Sequence, residues 1–369
     1  MQIKKAFAAS VSVAALMATT FAATAQTDLN ALYEAAKAEG QLTTIALPHD
    51  WCGYGAVIEA FKAKYPGITV NELNPDAGSA DEIEAIKANQ GNTGPQAPDV
   101  IDVGLSFGPS SKEAGLIQPY KVSTWDTIPD TAKDADGYWY GDYYGVLSFI
   151  VNKDIVATSP TSWADLMKPE YANAFALAGD PRAANQAISA VHAAGLSTGA
   201  KPGAEAGAAG LKFFADLNKA GNFVPVIGKS APVAQGTTPI VAAWDYNALA
   251  WKDGFAGNPQ AEVVVPTDAV VAGVYIQAIS AYAPHPNAAK LWMEYLYSDE
   301  GQIGWLAGYC HPIRFNDLAA RNVIPADLLA KLPDPALYAK AVFPTLDEQA
   351  AAKDAITKDW DAVVGANVQ

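Results

Sequence analysis

The sequence predicts an α/β fold divided into two lobes. Short β-branched runs alternate with amphipathic helical segments, and that alternation occurs twice, with an apolar stretch between the halves. A chain of 369 residues, half of them hydrophobic, also exceeds what a single core usually holds.

The first 26 residues stand apart. Lys4 and Lys5 precede an uncharged run over 6–22, and Ala23-Thr24-Ala25 leads to Gln26. A basic start, an apolar middle and a small-residue exit have the form of an export signal over 1–25, too short and too weakly apolar for a bilayer span. The mature chain is therefore expected to begin near Gln26 and to reside in the periplasm. No Cys follows the cleavage position to carry a lipid, and no later segment reads as a membrane span. The full chain carries a net charge of -15, and losing two lysines and no acid leaves -17. Such a charge repels nucleic acid.

In the first half, residues 42–47 read as a strand. Residues 56–65 read as a helix with Val57, Ile58, Phe61 and Tyr65 on one face. A strand over 68–73, a helix over 81–88 and a strand over 100–103 complete a β-α-β-α-β order, which predicts a parallel, doubly wound sheet with ligands beyond the strand C-termini. A loop over 134–144, rich in Asp, Gly, Trp and Tyr, leads into an apolar run over 145–152, taken as the first crossing between lobes. The second half starts at 160–163 and continues with a strand over 175–178, helices over 183–194 and 207–220, and an apolar strand over 239–242. Strands over 263–266 and 272–280 return to the first lobe. Lobe 1 is thus expected to comprise 26–145 and 268–308, and lobe 2 146–267 and 309–369. Cys52 and Cys310 are the two cysteines; spacing alone leaves open whether they pair, and separate thiols are the commoner outcome. No CxxC or Cys/His cluster points to a metal.

Several segments resemble bacterial extracellular solute-binding proteins. They are His285-Pro286-Asn287-Ala288-Ala289-Lys290-Leu291-Trp292-Met293-Glu294-Tyr295-Leu296 with Ser298-Asp299-Glu300-Gly301-Gln302, the opening stretch over 32–40, the helix end over 61–68, Ala97-Pro98-Asp99-Val100 and the stretch over 308–314. The nearest subgroup includes binders of ferric ion, polyamines, 4-aminobutyrate, thiamine and aminophosphonates. The resemblance implies a type II periplasmic-binding-protein fold, two lobes joined by crossing strands and closing on a solute like a hinge. It implies a non-enzymatic, cofactor-free monomer that delivers its solute to an ABC permease.

Candidate contacts follow from position. Asp50 and Trp51 lie between the first strand and the first helix, where an Asp serves either a ligand or a helix N-terminus. Trp244, Asp245 and Tyr246 follow the 239–242 strand, and an aromatic ring beside a carboxylate suits an ammonium group; a core Trp with a capping Asp gives the same pattern. Arg182 and Asn185 join a strand to a helix and would offer positive charge to a carboxylate or phosphonate, unless Arg182 pairs with Asp180. Tyr309 and His311 are expected at the rim. Ser106 and Phe107 sit in Gly104-Leu105-Ser106-Phe107-Gly108, which matches the G-x-S-x-G of hydrolases; the alternative functions are therefore a secreted α/β-hydrolase using Ser106, or a ferric-ion-binding member of the family resembled. His285 and His311 do not fall in triad-like loops, and Ser106 is expected to hydrogen-bond a ligand instead. Tyr143 and Tyr144 resemble the paired tyrosines of ferric-ion binders but precede the first crossing, so they are read as hinge or cleft-wall aromatics and no metal is expected. The expected ligand is an amine-bearing or zwitterionic solute, its cationic end held by Asp245, Asp50 and Trp244, its anionic end by Arg182.

Overall fold

The computed structural model describes residues 28–332 and 341–369. The expected export signal over 1–25 lies outside them. Asp28 caps α1 (Leu29–Glu39) by accepting hydrogen bonds from the Asn30 and Ala31 amides. There follow β1 (Gln41–Ile45), α2 (Tyr54–Lys64), β2 (Thr69–Leu73), α3 (Ser79–Ala88), β3 (Val100–Gly104), α4 (Phe107–Glu113) and β4 (Ile117–Gln118). The face of α2 that sequence periodicity marked is the buried one, with Val57, Ile58 and Phe61 in the core. After β5 (Tyr140–Asn152) the chain builds β6 (Phe175–Leu177), α5 (Asn185–Ser197), α6 (Ala204–Lys219), α7 (Ser230–Gln235), β7 (Ile240–Trp244), α8 (Asp245–Gly254) and β8 (Ala261–Val264). It closes with β9 (Ala272–Ser280), α9 (Pro286–Leu296), α10 (Asp299–Ala307), β10 (His311–Pro312), α11 (Phe315–Ala320), α12 (Ala326–Leu329) and α13 (Leu346–Val363).

The architecture is two-lobed, and β5 belongs to both halves. Residues 140–146 of β5 pair antiparallel with β9, with Tyr143 opposite Tyr275. Residues 147–151 pair with β7 and 149–152 with β8, with Leu147 opposite Trp244. Strand order along the shared sheet is β3-β9-β5-β7-β6, and β1 and β2 form a separate parallel pair. Asp99, just before β3, donates its amide to Thr43 of β1 (2.9 Å), tying that pair to the first lobe.

The expected all-parallel sheet is therefore corrected to a mixed one. Strand β9 returns from the other lobe rather than over a crossover helix, so it runs antiparallel to both β3 and β5. The crossing also begins earlier than its apolar run, at Tyr140. The register shift between Gly141 and Tyr143 breaks the alternation that would have marked Tyr140–Tyr144 as strand. His311 and Pro312 pair with Tyr144 and Tyr143 along the edge of β5 opposite β9, while α13 packs on α5 and α6.

Cys52 and Cys310 form a disulfide, their Cα atoms 5.4 Å apart. It ties the turn before α2 to the segment after α10, so the commoner outcome of separate thiols does not hold.

Candidate functional site

A cavity of about 680 Å³ lies between the lobes, within the range of small-molecule sites. Its walls are loops at strand ends. The β1–α2 loop supplies Pro48, Asp50 and Trp51, and the β2–α3 turn supplies Asp76 to Ser79. From the second lobe come the β6–α5 connection (Ala178 to Asp180 and Ala183 to Gln186), the segment leading into α7, and Asn247 and Trp251 of α8. Contacts across the gap hold the lobes together. Ala80 donates its amide to the Ala183 carbonyl (3.2 Å), Trp251 Nε1 donates to the Asp50 carboxylate (3.1 Å), and Lys229 pairs with Asp76. The Trp51 ring meets Tyr246 edge-on, centroids 5.5 Å apart. Gly104 ends β3 against Asn185 so closely that a Cβ there would fall 2.1 Å from the Asn185 Cγ.

The wall carries six carboxylates, Asp50, Asp76, Asp81, Glu82, Asp102 and Asp180, against one lysine, Lys229. Four of the acids are already engaged: Asp76 by Lys229, Asp180 by Arg182, Asp81 by the Gly78 amide (2.8 Å) and Asp50 by Trp251. Glu82 and Asp102 differ, being 1% and 5% exposed. Glu82 accepts the Asp102 amide (2.9 Å). Asp102 Oδ2 accepts both the Tyr54 hydroxyl (2.7 Å) and the Tyr143 hydroxyl (2.5 Å), and Tyr143 in turn accepts Trp51 Nε1–H (2.6 Å). The Gln277 amide nitrogen donates to Tyr54 Oη (2.8 Å) and to the fully buried Asp142 (3.0 Å). Asp102 Oδ1 is buried without a hydrogen-bond partner. Burial raises the Asp102 carboxyl to about 7 against the opposing pull of the Tyr143 and Tyr54 hydroxyls. Burial first, and the Asp102 charge second, hold Glu82 and Asp142 well above the usual carboxylate range. Trp51 and Tyr275, centroids 5.2 Å apart, supply aromatic surface beside this acidic floor.

Among the residues singled out from sequence, Asp50, Trp51 and Asn185 border the cavity. The others do not. Asp245 Oδ1 accepts the Val146 and Tyr246 amides (both 3.0 Å), so it pins the first turn of α8 to β5. A Cβ at Gly145 would lie 2.5 Å from that oxygen, which is why a glycine stands there. Trp244 and Tyr246 are fully buried, Tyr246 behind Trp51 and Tyr143. Arg182 turns away from the cavity: its guanidinium is held by Asp180 (2.8 Å), Asp361 (3.1 Å) and Asn367 (2.8 Å). Ser106 and Phe107 lie beneath α13, where Lys353 Nζ donates to the Ser106 carbonyl (3.3 Å) and sits 4.2 Å from the Phe107 ring centre. Tyr309 donates its hydroxyl to Asp253, and His311 stacks on Tyr144 with centroids 4.9 Å apart. His49, His192 and His285 bond to Glu72, the Gly203 amide and Asp99. The four histidines of the chain are thus occupied away from Ser106.

Sequence reasoning passed over Asp102, Glu82, Tyr275 and Trp251. The available signal was Asp102 itself, a lone acid inside the apolar strand Val100–Gly104, where an unpaired charge is costly. Among the described residues no group of three His, Cys, Asp or Glu side chains is arranged to hold a metal ion, and no helix is long and apolar enough to cross a membrane.

Solved structures share this fold. The periplasmic binding protein AfuA from Actinobacillus pleuropneumoniae, with fructose-6-phosphate bound, superimposes with a TM-score of 0.68 at 20% identity, covering 88% of this chain and 98% of that one. A putative spermidine/putrescine ABC transporter protein from Listeria monocytogenes gives 0.63 at 14% identity, over 87% and 99%. Iron-bound HitA from Pseudomonas aeruginosa gives 0.61 at 18%, over 86% and 98%. No curated protein sequence matches at a significant level. The model of the bacterial extracellular solute-binding protein family matches residues 96–333, well over half the chain. The chain therefore belongs to the bacterial extracellular solute-binding proteins, the substrate-binding components of ABC transporters.

Proposed function

We propose that this protein captures a small organic solute carrying an amine, either a cation such as a polyamine or a zwitterion of the 4-aminobutyrate or aminophosphonate type, and passes it to an ABC permease. The carrying observation is the acidic floor of the interlobe cavity. Glu82 and Asp102 are buried with no Lys, Arg or His among their hydrogen-bond partners, beside the rings of Trp51 and Tyr275. An ammonium group supplies the missing countercharge and gains from the ring faces. Arg182 is spent on Asp180 and the C-terminal segment, so a carboxylate or phosphonate end would turn to the first turn of α5, whose Asn185 borders the cavity. Hinge closure follows because such a ligand touches both lobes and so favours the shut state. The similarity to the spermidine/putrescine protein supports this chemistry; those to the sugar-phosphate and iron binders define the competing ligand classes.

A thermal-shift screen tests the reading with putrescine, spermidine, 4-aminobutyrate, 2-aminoethylphosphonate, fructose 6-phosphate and ferric citrate. A ligand at 100 times its dissociation constant adds about 2.7 kcal/mol. Stabilisation by an amine, lost in Asp102→Asn, is expected; stabilisation by fructose 6-phosphate or ferric citrate with no amine response would overturn it.

A further inference from the structure

We propose that Glu82, Asp102 and Asp142 hold a proton that the solute's cationic head displaces, so that capture releases a proton and acid promotes release. This rests on the amine reading above. The three carboxyls belong to one network: Glu82 accepts the Asp102 amide, while Tyr54 and Gln277 link Asp102 to Asp142. All three are buried, and the hydrogen bonds they accept come from the Tyr54 and Tyr143 hydroxyls, the Gln277 amide and the backbone. Three neighbouring buried carboxyls resist full ionisation, because each charge raises the cost of the next and burial raises the cost of all. They titrate as one unit. Asp102 Oδ1, buried without a partner, marks where the network is incomplete.

The other charged and titratable groups facing this set do not supply the missing charge. Lys229 is held by Asp76, and Arg182 lies behind Asp180. Asp81 caps α3, Asp50 bonds Trp251, and Tyr246, Tyr275 and Tyr297 are neutral phenols whose burial makes ionisation harder still. When an ammonium group arrives, the carboxylate form becomes favoured: the carboxyl O–H breaks, its proton leaves to bulk buffer, and the solute keeps its own charge. Neutral solutes and anions give no such exchange.

The experiment uses the full chain. Putrescine, spermidine and 4-aminobutyrate are titrated by calorimetry at pH 5.5 and 8.0, in two buffers of different ionisation enthalpy, alongside a ¹³C NMR pH titration of the carboxyl signals in ligand-free protein. The expected result is release of up to one proton per amine bound and affinity rising up to tenfold per pH unit across the titration. Asp142→Asn, away from the cavity wall, removes one charge from the network and should shift that pH dependence to lower pH. Amine binding with no proton release and equal affinity at both pH values would overturn the exchange and leave the amine reading standing. Binding of fructose 6-phosphate or ferric citrate alone would sink both. If no compound binds, absence of any carboxyl titrating between pH 6 and 8 in the ligand-free protein overturns the proton store by itself.

Discussion

Removing the disulfide should weaken both the fold and the grip of the cleft. Cys52 and Cys310 are 258 positions apart, so their bridge closes a loop that contains every strand of the second lobe but not its C-terminal helix α13. Chain-entropy reasoning for a loop of that size gives at most about 5 to 6 kcal/mol of stabilisation. For about 340 folded residues the unfolding entropy near the midpoint is about 0.7 kcal/mol per kelvin, so Cys52→Ser/Cys310→Ser should melt roughly 8 °C lower. If the second lobe stays folded after the first opens, the effective loop shortens and the drop is smaller. The same bridge holds the loop that carries Asp50 and Trp51, both on the cavity wall. Differential scanning calorimetry of the oxidised protein and of the double variant, with ligand titrations on each, checks both effects. A melting point within 1 °C of the oxidised protein, with unchanged affinity, would refute the reasoning.

Other substitutions separate grip from scaffold. Asp245→Ala orphans the Val146 and Tyr246 amides and should cost about 2 to 4 kcal/mol in urea unfolding, while changing solute affinity less than threefold. Gly104→Ala places a methyl group against Asn185 of the opposite lobe; overpacking of about 1 to 3 kcal/mol in the closed state alone predicts roughly 5- to 150-fold weaker binding with little change in melting, measured by calorimetry. His192 and His311 are held by burial at about 4, below their unfolded value near 6.5, so the unfolded chain takes up more protons between those limits. Stability should therefore fall as pH drops from 6.5 to 4, by up to roughly 3 kcal/mol per histidine, and His311→Phe should flatten that limb of a urea-midpoint profile. Asp102 acts with the opposite sign. Its folded value of about 7 lies above the unfolded one near 3.9, so its contribution is full at low pH and is lost as pH rises through 7.

Periodicity and strand-end logic made the two βα halves, the crossing near residue 145 and the Asp50-Trp51 loop legible. What stayed hidden depends on direction and on distant neighbours. Trp244-Asp245 reads the same whether the carboxylate faces a ligand or its own helix; only the proximity of Val146 on β5 decides. Arg182 has Asp180 two residues away, but Asp361 and Asn367 reach it only after α13 folds back on α5 and α6. Asp102 is conspicuous in its strand, yet the tyrosines that address it come from α2 and β5, 48 and 41 positions away. The disulfide was equally invisible, since nothing local brings residues 52 and 310 together.

Because one thirteen-residue strand serves both halves of the shared sheet, neither half of this molecule is a detachable module. A cut or graft at β5 would strip a central ribbon from whichever piece lost it and expose unpaired backbone along its full edge. Recombination of such proteins is therefore confined to the loops that decorate the ends of the strands, which are also the segments that meet the solute. Ligand preference can drift there while the pivot stays as it is.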